Sequence, residues 1–158
     1  MKNVYLSLGS NLGDRDSHLA QAMERLEAAG IHIVRRSSIY ETEPQDRRDQ
    51  PWFLNLVLEV ETDLPPMDLL AQIQKIEKEL GRERNVPRGP RTIDIDVLFY
   101  GSLVISTPQL EIPHPRLALR RFVLEPLAEL SPNLVHPVIR KTVFALLPNT
   151  ASQLVRIH

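Results

Sequence analysis

Alternation of apolar and polar positions marks four stretches of this chain, and helical spacing marks two segments between them. The apolar run at residues 4–8 predicts a first, buried strand. Gly9-Ser10-Asn11-Leu12-Gly13-Asp14 is a turn that ends in helix-cap chemistry. Leu19, Ala22, Met23 and Leu26 then recur at helical spacing, with Gly30 as a stop. Residues 31–40 predict a second strand and residues 53–62 a third. In the third, Leu54, Leu56, Leu58 and Val60 share one face, and Phe53, Asn55, Val57 and Glu59 the other. Pro65-Pro66 opens a second helix, where a missing N–H costs nothing. Leu69, Leu70, Ile73, Ile76 and Leu80 line its apolar side, with Glu77 placed oddly among them, and Gly81 ends it. Residues 92–100 predict a fourth strand.

The order is β-α-β-β-α-β, the ferredoxin-like arrangement of an α+β protein: an antiparallel sheet with both helices on one face. Residues 102–158 are less regular. A short strand pair is expected around residues 103–105 and 112–115, then a helix over residues 121–130 and a short helix near residues 143–147. These C-terminal additions would cover the other sheet face and make three layers, αβα. Nothing in the sequence suggests repeats or a linker, so residues 1–158 are expected to form a single domain.

The fourth strand carries the chemistry. In Arg91-Thr92-Ile93-Asp94-Ile95-Asp96-Val97-Leu98-Phe99, the apolar residues Ile93, Ile95, Val97 and Phe99 fall on one face, and Asp94 and Asp96 fall together on the other. Two carboxylates whose Cα atoms lie about 6.5–7 Å apart on a rigid strand suit a hard cation such as Mg²⁺. Arg82, Arg84, Arg88 and Arg91 lie just upstream, so acids and arginines together point to a bound polyphosphate. A solvated salt-bridge lattice would explain the same charges, at roughly 0–1 kcal/mol per pair. Phe53 and Asn55 side by side would suit a flat heterocycle; they would equally suit a core aromatic beside an amide bound to backbone. His114 sits in a stiff frame between two prolines, and Arg116, Arg120 and Arg121 follow it.

Composition removes other classes. At 158 residues, 42% hydrophobic and 25% charged, the chain is ordinary for a globular protein. A net charge of −1 gives no global field for nucleic acid. Cysteine is absent, which excludes thiolate chemistry and Cys-bound zinc. There is no Gly-Lys-Ser/Thr loop and no membrane-length apolar run. The apolar run at the start is too short for a signal sequence, so a cytoplasmic location is expected. The residues alone therefore reach a Mg²⁺-dependent polyphosphate site on an α+β domain.

Several segments, in order along the chain, carry a resemblance. Gly89-Pro90-Arg91-Thr92-Ile93-Asp94-Ile95-Asp96-Val97-Leu98 resembles the signature of the 6-hydroxymethyl-7,8-dihydropterin pyrophosphokinase family. Leu8-Gly9-Ser10-Asn11-Leu12-Gly13, Tyr40-Glu41-Thr42-Glu43-Pro44 and Asp49-Gln50-Pro51-Trp52-Phe53-Leu54-Asn55 are similar to further segments of that family. So are residues 76–84 and Ile112-Pro113-His114-Pro115-Arg116. The resemblance implies transfer of diphosphate from ATP to 6-hydroxymethyl-7,8-dihydropterin, releasing AMP, by in-line attack on the β-phosphorus, in folate biosynthesis. It implies two Mg²⁺ ions on Asp94 and Asp96, with Arg82, Arg91 and Asp96 as catalytic residues. ATP would be lined by Gln74, Glu77, Arg82, Arg84, Arg91, Val97, His114 and Arg120. The pterin would stack between Phe53 and Phe122, with Thr42 and Asn55 reading its polar edge and Gly9 and Asp94 beside it. The loops at residues 44–51 and 82–91 would close over ATP and exclude water. ATP and the pterin are the expected partners, with no nucleic acid or membrane, and the chain is expected to be a monomer.

The sequence departs from the family pattern in two places. Arg88 stands where an aromatic is usual, in a loop about one residue short. Glu43 and Gln45 stand where proline or leucine is common. Two other classes stay open on the residues alone: a different Mg²⁺-dependent nucleotide transferase on a ferredoxin-like fold, and a non-catalytic binding module. The first would not need Phe53, Asn55 and Phe122 together, and the second would not need the two acids.

Overall fold

The computed structural model describes residues 2–43, 51–81 and 92–158. Strand β1 (Lys2–Ser10) leads into helix α1 (Arg15–Ala28), whose first turn is capped by the Asp14 carboxylate accepting from the Ser17 N–H at 3.1 Å. Gly30, at φ +81°, lets the Ile31 N–H return to the Leu26 carbonyl and stop the helix. The predicted second strand is two strands, β2 (His32–Arg36) and β3 (Tyr40–Thr42). Between them the Ser37 hydroxyl accepts from the Val57 N–H at 2.9 Å, so a side chain replaces a rung of the ladder. Strand β4 (Phe53–Thr62), helix α2 (Pro66–Glu79) and strand β5 (Asp94–Tyr100) follow.

The main sheet runs β5-β1-β4-β3, with β2 also paired to β4, and every pairing is antiparallel. That is the ferredoxin-like order, its second strand broken in two. Strands β6 (Ile105–Ser106) and β7 (Glu111–Ile112) form a separate pair. Helices α3 (Arg121–Leu130) and α4 (Val143–Leu146) come next. A last strand, β8 (Val155–Ile157), adds to the sheet edge beside β3. The periodicity did not predict β8, because three residues centred on Arg156 hold too little alternation to register.

Two apolar clusters sandwich the sheet. Leu6, Leu8, Leu54, Leu56, Leu58, Ile95 and Val97 pack under Leu19, Leu26, Leu69, Ile73 and Ile76 of α1 and α2. On the reverse face Tyr5, Val57 and Phe99 pack with Val123, Leu124 and Leu127 of α3. Phe99 is on this second face, not with Ile93, Ile95 and Val97 as strict alternation predicts. A register shift pairs Leu6 with Val97 but Tyr5 with Phe99, so Leu98 is an extra residue that reverses the faces beyond it. Phe99 then meets Tyr5 edge to face, with ring centroids 6.3 Å apart.

Candidate active site

β1 lies between the two strands that carry the predicted site residues. Gly9 pairs with Asp94 of β5 on one side and with Asn55 of β4 on the other, and Asn55 pairs with Tyr40 of β3. Paired residues in an antiparallel ladder share a face, so Asp94, Gly9, Asn55 and Tyr40 form one row across the sheet. Asp96 with Ser7, and Phe53 with Thr42, flank that row on the same face.

The acids stand on an edge. Among the described residues β5 pairs only with β1, so its outer backbone groups need other partners. The Ile95 N–H, between the two aspartates, donates to the Glu77 carboxylate at 2.9 Å. The Leu98 carbonyl accepts from the His114 N–H at 3.1 Å. Glu77 is 3% exposed, which accounts for a carboxylate on the apolar side of α2: it replaces a neighbouring strand. Gln74, one turn earlier, is exposed. Asp94 and Asp96 are partly exposed, and two hard oxygen donors suit Mg²⁺, which takes one or two carboxylates and fills its remaining positions with phosphate and water. Among the described residues no group of three or more His, Asp and Glu side chains is arranged to hold a metal ion, so the pair alone does not form an all-protein cage.

Beside β5 lies a cleft of about 260 Å³, lined by Leu70, Ile95, Asp96, Val97, Leu110 and His114 among others. His114 Nδ1 accepts from the Arg116 N–H at 3.2 Å, so the neutral ring carries its proton on Nε2. Burial pushes its pKa down to about 4; Arg120 and Arg116 act in the same direction, and Asp94 opposes them. His114 is therefore a neutral donor at pH 7. Leu110 was not predicted for this cleft, because residues 102–111 show no period that says where they fold.

At the other end of the row the Asn55 amide donates to the Thr42 hydroxyl at 2.6 Å, both side chains being buried. A Cβ on Gly9 would lie 2.7 Å from Asn55 Oδ1 and 3.5 Å from the Phe53 ring, so only glycine lets β1 pass this close. Phe122 is half-buried on the first turn of α3, with the Arg120 guanidinium 5.3 Å from its ring centre. At the far end of α3, Glu129 accepts from the Ser38 N–H and hydroxyl and from the Tyr40 hydroxyl at 2.7 Å, tying this helix to the strands beneath. Burial and the Glu129 carboxylate push the Tyr40 phenol up, so it remains a donor. Arg82, Arg84 and Arg91 lie outside the described residues, as do Arg88, Gln45 and most of the two predicted closing loops.

Residues 5–132 match the model of the 7,8-dihydro-6-hydroxymethylpterin-pyrophosphokinase family. The chain belongs to that family. With the family comes its activity, ATP-dependent diphosphate transfer to a pterin in folate biosynthesis. The chain is 47% identical over 141 residues to 2-amino-4-hydroxy-6-hydroxymethyldihydropteridine pyrophosphokinase of Aquifex aeolicus, covering 89% of this chain and 88% of that one. It is 49% identical over 132 residues to the Bacillus subtilis protein of the same name, covering 82% and 79%. It is also 49% identical over 135 residues to the folic acid synthesis protein fol1 of Pneumocystis carinii, where the match takes 85% of this chain and 18% of that much longer one. The crystal structure of wild-type Plasmodium falciparum HPPK-DHPS has the same fold, with a TM-score of 0.76 at 18% identity, over 96% of this chain and 45% of that one. No helix among the described residues of this pyrophosphokinase is long and apolar enough to cross a membrane.

Proposed function

We propose that the sheet row is the reaction line: diphosphate moves from ATP, held beside β5, to the hydroxymethyl oxygen of 6-hydroxymethyl-7,8-dihydropterin, held over β4 and β3. The observation that carries this is the register Asp94–Gly9–Asn55. Two strand spacings separate Asp94 from Asn55, roughly 10 Å. That is room for a diphosphate group between the acids and a pterin at Asn55.

In this reading a bond forms from the pterin hydroxymethyl oxygen to the β-phosphorus, the α–β bridging bond breaks, AMP leaves and the hydroxyl loses its proton. Two Mg²⁺ ions held by Asp94 and Asp96 would supply charge neutralisation and a more acidic hydroxyl. Glu77 keeps the acids' strand in place. His114 donates from Nε2 to a phosphate oxygen, and Val97, Gln74 and Arg120 line the nucleotide. Arg82 and Arg91, with Arg84, stabilise the charge spread on the transferred group. Phe53 and Phe122 stack on the pterin, and Asn55 and Thr42 read its edge, because an unpaired buried donor would cost about 1–3 kcal/mol. The same reading takes the chain as a single-domain cytoplasmic monomer, where ATP is supplied.

The test is an assay with ATP, Mg²⁺ and the dihydropterin, followed by chromatography. AMP and pterin diphosphate are expected in equal amounts, with neither formed without pterin. ADP or free phosphate instead would overturn the reading and point to another nucleotide transferase using the same acids.

A further inference from the structure

β8 lies beyond the family-matched residues, yet its side chains reach the strand ends that carry the pterin residues. Val155 pairs with Thr42 and Arg156 with Glu41. The Arg156 guanidinium donates twice to Glu41 Oε1, one of these bonds from Nε at 3.2 Å, and lies 4.6 Å from the Trp52 ring centre. The other Glu41 oxygen faces Arg15 Nη2 at 3.7 Å and His158 Nδ1 at 3.8 Å, and Arg15 Nη1 donates to the Trp52 carbonyl at 2.9 Å. His158 closes the strand, its N–H donating to the Ile39 carbonyl at 2.9 Å. Arg156 thus joins Glu41 and Trp52, the residues that immediately precede Thr42 and Phe53, and Thr42 pairs with Phe53.

We infer that β8 is a latch for the pterin pocket, with Arg156 as a positioning residue that sets the Thr42–Phe53 pair by binding Glu41 and Trp52 on the reverse face. The inference rests on the pterin site proposed above. Alternation turns the Glu41 side chain away from the Thr42 face, so Arg156 acts through the backbone of β3 and β4 and does not touch the substrate. Its geometry joins one planar cation to a carboxylate and to an indole face, a combination that fixes direction as well as distance. The side chain is 67% exposed and Glu41 keeps Arg15 and His158 as partners, so its loss should spare the fold.

The experiment is steady-state kinetics on the full chain for wild type, Arg156→Ala, Glu41→Gln, the double variant, and Phe53→Ala as a control. Arg156→Ala is expected to raise the pterin KM about tenfold (about 1.4 kcal/mol), with the ATP KM within about twofold and the melting temperature nearly unchanged. The double variant should be no worse than the poorer single one. An unchanged pterin KM in Arg156→Ala, while Phe53→Ala raises it, overturns the latch and leaves the site standing. Equal rises in both KM values with a fall in melting temperature overturn it too, since β8 would then be only a structural strand. Strictly additive losses in the double variant overturn the coupling. A pterin KM unmoved by Phe53→Ala overturns the pterin site itself, and the latch with it.

Discussion

The face of the sheet under α1 and α2 is apolar except at the end that holds Ser10 and Glu41, whereas the face under α3 is apolar at one end and polar over the rest of its length. On the first, Leu6, Leu8, Leu54, Leu56, Leu58 and Ile95 pack between the strands and two helices. On the second, Tyr5, Val57 and Phe99 anchor α3, and then the row passes to Ser7, Gly9, Asn55, Thr42 and the two aspartates. Continuous burial makes the first face a stability device. The second gives up apolar contact along this row, and the space it leaves holds polar groups that need partners. The Asn55 amide pairs with Thr42 inside the face and the Tyr40 hydroxyl with Glu129 of α3, while Glu77 of α2 and the His114 segment pair the backbone of the β5 edge.

Substitutions can break this division of labour. Asp96→Ala is expected to have the largest effect, a fall in kcat of about 10³-fold or more, with a melting temperature near wild type, because the position is already polar and partly exposed. The AMP assay and a thermal melt on the same sample check both halves; near-normal turnover would reject the acid assignment. Leu56→Ala on the other face should do the reverse. It should lose about 2–5 kcal/mol in a denaturant titration and keep the kcat of the folded fraction.

Gly9→Ala tests the close approach in the middle of the row. The added methyl displaces the Asn55 amide or the strand, so pterin affinity should fall about tenfold or more while ATP affinity holds, as measured by calorimetry. Glu77→Leu sharpens the comparison at the edge. It leaves the Ile95 N–H unpaired, which should cost about 1–3 kcal/mol of stability and lower kcat through the misplaced aspartates; Glu77→Gln, which keeps an acceptor oxygen, should recover most of the stability.

The smallest effect is a pH dependence at the apolar end. His136 Nδ1 accepts from the Val138 and Ile139 N–H groups, and burial holds its pKa below the ordinary 6.5. The unfolded chain therefore takes up a proton that the folded chain refuses. Stability is full above pH 6.5 and falls as the pH drops below it. Thermal melts from pH 7.5 to 5 should show a flatter slope in His136→Asn, with kcat unchanged. His114, held neutral down to about pH 4, should add no inflection near 6.5 to the pH–rate profile.

The helices, the first, third and fourth strands and the face carrying Asp94 and Asp96 were determined by the sequence itself. Side-chain period is a local property, and Gly30, Pro66 and Gly81 punctuate it. Other features needed the folded chain. The break between β2 and β3 depends on Ser37 meeting Val57. The reversal at Leu98 depends on a mismatch with β1, and the purpose of Glu77 depends on β5 being an edge. β8 lies 115 residues from its Glu41 partner and is too short to show a period. Local pattern tells each strand which way its side chains face; only long-range pairing decides which strands lie side by side, and here that pairing sets Gly9 between an acid and an amide.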